Sequence, residues 1–185
     1  KIWSPEAQNK ITTWKQVRSE WPDKPLKLYG AGADSGTFDY FTEAVVGKSK
    51  SSRGDYTASE DDNTIVQGIA NDESALGYLP YSYYDENKKK LKALSGKGII
   101  PSRQTVESGT YAPLSRPIFI YVNKKSAEKV EIADFIEFYM KNGSKLSAEV
   151  KYVPLPTKAY TLALEKFKKG QVGTAFGGHN EVGLK

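Results

Sequence analysis

Apolar residues recur along this chain with two periods. Helical spacing, three and four apart, marks Trp14, Val17 and Trp21 behind the start Ser4-Pro5-Glu6. It marks Phe38, Phe41 and Val45 again, with Asp39 in the first turn and Gly47 as the stop. Ile65 and Ile69 define a shorter helix closed by a turn at Asn71-Asp72, and "SAEKVEIADFIEFYMKNG" a long one predicted to end at Gly143. "TKAYTLALEKFKKG" is a further helix, stopped by Gly170. Strand patterns lie between them: "LKLYG" at 26–30, "ALGYLPY" at 75–81, and a piece near Leu91–Leu94 after the helical start of "YSYYDENKKKLKAL". The strongest is "RPIFIYVNK", whose unbroken apolar run between Pro117 and Asn123 fits a strand buried on both faces of a parallel sheet. Helices alternating with strands predict an α/β fold with a mainly parallel sheet flanked by helices. There are no internal repeats and no low-complexity linker.

Composition narrows the chemistry. The 185 residues suffice for a real core, and no run of about 18 apolar residues occurs to span a membrane. Cysteine is absent, which excludes thiol catalysis, disulfides and cysteine metal sites. A lone His179 in "FGGHNEVG" forms no pair with a nucleophile, so an enzyme is disfavoured. A net charge of +5 points to an anionic partner. Its lysines fall in scattered clusters, "KSK" at 48–50, "NKKKLK" at 87–92 and "KFKKG" at 166–170, without the interleaved aromatics of a nucleic-acid platform. The acidic run Glu60-Asp61-Asp62-Asn63 lacks calcium-loop spacing and reads as a cap for the helix of Ile65. Trp3, Trp14, Trp21 and the tyrosines of "YLPYSYY" read as packing.

One stretch asks for more. In "YGAGADSGTFDYFTEAVVG", residues 29–47, Ser35-Gly36-Thr37 stand between a Gly/Ala loop and a helix start. The first N–H groups of a helix lack intrahelical partners and its dipole is positive there, so hydroxyls and a glycine at this point suit an anion. They equally suit an ordinary N-cap. In "SSRGDY", Arg53 lies two residues from Asp55, which is able to orient the guanidinium toward a phosphate; the bland alternative pairs Arg53 with the acidic run at 59–62. "RGD" at 53–55 also spells an adhesion tripeptide, too short to carry an adhesion role.

"LYGAGADSGTFDYFTEAVVG", "SRGDYTASEDDNTIVQGIA", "SALGYLPYSYY" and "YAPLSRPIFIYV", in that order, resemble the PstS-like phosphate-binding proteins of bacterial ABC transporters. The resemblance runs from Ile2 to the C-terminus. It implies a periplasmic-binding-protein (type II) fold, in which two α/β lobes close over one phosphate. It implies that residues 1–114 form the second ligand-binding lobe. Residues 115–185 then form a hinge strand and a helical segment returning toward a first lobe of about a hundred further residues, absent here. Arg116 falls on that hinge strand in a structural role, and Arg103 is a further candidate for the cleft.

The resemblance also assigns Ser35, Gly36 and Thr37 to a phosphate cradle, with Arg53 as the charge and Asp34 and Asp55 in support. Many relatives carry an arginine four residues before the serine; here that position is Ala31, and Ala33 replaces an aspartate. The implied function is non-catalytic capture of inorganic phosphate and delivery to the permease subunits, outside the cytoplasm, in the periplasm or lipid-anchored at the outer face of the membrane. No cofactor and no metal is implied. The competing readings are an adhesion or signalling module, or a phosphate-handling enzyme, on the same fold. Self-association of such a fragment is a further expectation.

Overall fold

The computed structural model describes residues 1–174. The chain divides into two compact units, Lys1–Ala93 and Leu94–Lys185. The first is built on a parallel sheet of β1 (Lys27–Ala31), β2 (Thr57–Ser59) and β3 (Ala75–Gly77) in the order β2-β1-β3. Its helices are α1 (Trp14–Val17), α2 (Gly36–Val46), α3 (Asp62–Ala70) and α4 (Tyr81–Glu86). The α/β class and the parallel sheet are as the alternating pattern predicts.

The central strand reads as expected because both of its faces are covered. Leu28 joins Trp3, Leu26, Ala31, Phe38 and Tyr78 in one buried cluster. Trp3 meets Phe41, Tyr56 and Tyr78 edge-on at 5.0–5.7 Å, and Phe41 stacks on Tyr78 at 3.7 Å. Tyr29 instead lies over Gly68 of α3, where a Cβ would strike its ring. Ile65 and Val66 bury α3 against the sheet. Helix α2 ends where the pattern places its stop, with Gly47 at φ 88° in the left-handed region that favours glycine.

Two expectations fail in this unit, and one strand goes unpredicted. The helix read over 4–21 breaks into a single 3-10 turn, Pro5–Ala7, and α1. Asn9 turns at φ 56°, Thr12 O accepts the Leu26 N–H, and Thr13, in extended backbone, bridges Pro25. Gln16 Oε1 then accepts the N–H groups of Thr12 and Thr13, which restarts the helix at Trp14. The strand predicted over 75–81 stops at Gly77, and Tyr81 already opens α4. Strand β2, only three residues long, is invisible to periodicity.

The second unit carries α5 (Arg103–Glu107), α6 (Val130–Glu149) and α7 (Thr157–Lys168). Helix α6 runs through Gly143 rather than ending there, because that glycine faces the Tyr160 ring of α7 and its missing Cβ permits the approach. Glu137 accepts both Lys141 at 2.7 Å and Lys168 of α7 at 3.0 Å. Arg103 pairs along its own helix with Glu107. The run 117–122 and the piece near Leu91–Leu94 are not strands here. Ile118 is 68% and Tyr121 84% exposed, so the most strand-like stretch of the sequence lies outside the sheet formed by the described residues. His179 lies outside the described residues.

Candidate functional site

The sheet order puts the first strand in the middle. Its neighbours lead to opposite sides, and in open parallel sheets the ligand crevice opens at the carboxyl ends of strands where the chain changes direction. The carboxyl end of β1 runs through Gly32-Ala33-Asp34 into Ser35, the N-cap of α2. Ser35 adopts extended backbone, and its Oγ accepts the Thr37 N–H at 3.2 Å. Ser35 and Thr37 are half-buried, and Gly36, Asp34 and Ala33 are exposed. The cap is therefore real, and it is Ser35's; Thr37 contributes its backbone N–H and leaves the hydroxyl out of that bond. Ser35, Gly36, Thr37 and Asp34 are brought together in one turn at the positive end of an eleven-residue helix.

Arg53 is placed differently. It is only 3% exposed, and Asp55 occupies its fork, with Nε donating at 2.5 Å and Nη2 at 2.7 Å. Nη1 donates to the carbonyls of Ile2 at 3.2 Å and Ile11 at 2.9 Å. Four of the five guanidinium N–H groups are thus spent on protein acceptors. Asp55 also accepts the Asn9 N–H at 3.0 Å, and the Arg53 hydrogen bonds hold its carboxyl down to about 2. The pair with Asp55 displaces the alternative partnership with residues 59–62, and the bidentate fork pictured for phosphate is already filled. Arg53 and Asp55 bracket the Ile2–Ile11 segment, which seats Trp3 against Phe41 of α2.

The acidic run does what a cap does: Asp61 Oδ1 accepts the Asn63 N–H at 2.9 Å at the start of α3. Among the described residues no group of three or more His, Cys, Asp or Glu is placed to hold a metal. Glu60, one residue earlier, escapes a reading by periodicity. The register Ala31↔Ser59 ends β1 and β2 side by side and sets Glu60 against the Gly32 loop, where its Oε1 accepts the Asp34 N–H at 3.3 Å.

Residues 6–142 match the model of the PBP superfamily domain, and the chain belongs to that superfamily. It is PstS-like in sequence. Protein SphX of Synechococcus elongatus is 50% identical over 99% of this chain and 56% of its own length. The phosphate-binding protein PstS of Staphylococcus saprophyticus is 39% identical over 82% of this chain and 48% of its own. The crystal structure of a possible phosphate binding protein from Planctomyces limnophilus superposes with a TM-score of 0.76 at 42% identity, covering 91% of this chain and 61% of that one. An ABC-type phosphate transport receptor from Vibrio cholerae, 22% identical with a TM-score of 0.59, shares the fold. The chain spans about half the length of the curated relatives it matches.

Proposed function

We propose that this chain supplies one lobe of a non-catalytic inorganic phosphate receptor that works outside the cytoplasm and hands its ligand to an ABC-transporter permease. The observation that carries the reading is the α2 N-terminus at the carboxyl end of the central strand. It is built from Ser35, Gly36 and Thr37, in a chain 39% identical to a protein named for binding phosphate. In this reading the hydroxyls of Ser35 and Thr37, set on the turn at Gly36, cradle phosphate oxygens, while the Thr37 amide stays on the Ser35 cap. Arg53 contributes its remaining Nη2 N–H and, with Asp55, anchors the segment beneath α2. Asp34 shapes the loop. Residues 1–114 belong to this lobe, residues 115–185 return toward the first, and the opposite wall comes from the part of the relatives' length that this chain does not span. Closure of the two walls completes capture. The adhesion reading loses its motif, because the arginine of the Arg-Gly-Asp tripeptide is buried and committed.

Thr37→Ala tests the cradle directly. It deletes a hydroxyl that the Ser35 cap does not use, so the melting temperature should stay near wild type. Phosphate affinity, measured by calorimetry on the full-length protein against sulfate and arsenate, should fall by about 1.5–3 kcal/mol, the value of a hydrogen bond to a charged group. Ser35→Ala should in addition cost about 1 kcal/mol of stability through the lost cap. Wild-type affinity in Thr37→Ala would refute the site.

A further inference from the structure

Glu60 sits on the loop that leads into the cradle. Its Oε1 accepts the Asp34 N–H at 3.3 Å, and a Cβ on residue 32 would fall on the same carboxylate, so glycine is what lets this anionic oxygen lie against the backbone. The Gly32 N–H is itself taken by Ser59 O at 3.0 Å, which holds the loop in register beside β2. Glu60 is exposed, so its side chain is able to leave the loop without disturbing the core. The loop therefore already carries an anion of the protein's own.

Resting on the phosphate reading above, we propose that Glu60 is an intramolecular competitor, a carboxylate latch on the anion loop that the incoming oxyanion displaces. Two negative charges a few ångströms apart repel at a protein surface, so loop-bound Glu60 and bound phosphate exclude one another. Asp61 and Asp62 follow Glu60 directly, Asp34 adds its own carboxylate to the same loop, and Tyr56 also lies within the field of Glu60. Among the described residues, the ion pairs of the lysines and arginines go to other carboxylates, and none draws Glu60 off the loop. The latch sets a threshold: affinity is lower than the cradle alone would give, and release is faster.

Calorimetry with inorganic phosphate on the full-length wild-type protein and on Glu60→Gln tests this. The amide keeps the size of the side chain and removes its charge, so Glu60→Gln should bind phosphate at least about fivefold tighter at low ionic strength, with a smaller gain at high salt. In the wild-type protein, phosphate should shift the Asp34 amide and the Glu60 carboxyl carbon resonances together. Unchanged or weaker binding by Glu60→Gln, with wild-type binding intact, overturns the latch and leaves the phosphate reading standing. Failure of both proteins to bind phosphate overturns both. Binding by Glu60→Gln alone supports the latch in its strongest form.

Discussion

Arg53 shows how one residue divides between structure and ligand. Its guanidinium joins Asp55, Ile2 and Ile11, so Arg53→Ala strips two carbonyls and a carboxylate of their donor and should lower stability by about 2–4 kcal/mol. Arg53→Lys should recover little of this, since a point charge does not span the fork and both carbonyls. Chemical denaturation and phosphate calorimetry on the same variants separate the two roles: loss of stability alone confines Arg53 to anchorage. The pair also has a pH signature. Asp55 is held down to about 2 from 3.8, so the stabilisation is complete above the ordinary carboxylate range and drains away as pH falls through about 2. Asp55→Asn should lower the melting temperature at neutral pH and flatten its acid fall between those two values.

Among the elements, α2 and α6 show how glycine takes its meaning from its neighbours. Gly47 ends α2 in left-handed backbone, whereas Gly143 sits within α6 against the Tyr160 ring, where a Cβ would lie 2.6 Å from Cε1. Gly143→Ala gains helix propensity worth about 1 kcal/mol but has to push that ring aside, an overpacking cost of about 1–3 kcal/mol. The net expectation is a modest destabilisation of α6 against α7, read by amide hydrogen exchange in the two helices. Adding Tyr160→Leu should return the protection, and protection above wild type in Gly143→Ala alone would show that the ring yields freely.

At the scale of the molecule, the chain covers 56% of SphX from Synechococcus elongatus and leaves Ile118 and Tyr121 largely exposed. If the opposite wall of the site lies in the remaining length, residues 1–185 alone should bind phosphate far more weakly than the full-length protein, since half a site keeps the desolvation cost and loses donors. The exposed run at 117–122 should also make the isolated chain self-associate. Calorimetry and light scattering on the two lengths check these expectations. Submicromolar phosphate binding by residues 1–185, or a strictly monomeric isolated chain at high concentration, would contradict them.

The sequence by itself determined what is local. Phe38, Phe41 and Gly47 mark α2 because amphipathic spacing and a glycine stop act within a few residues, and Ser35 announces a helix start for the same reason. Leu26–Gly30 marks the central strand because Leu26 and Leu28, both buried, alternate with the exposed Lys27, a period that acts within a few residues. The tertiary structure decided what depends on distant partners. Strand β2 exists only because β1 offers it a ladder, and the run 117–122, strand-like in every residue, is no strand without one. Arg53 faces Ile2 and Ile11 from some forty to fifty residues away, a choice that spacing to Asp55 alone did not reveal. Glu60 meets Gly32 only through the parallel register, because a hydrogen-bonded ladder joins residues that no periodicity connects.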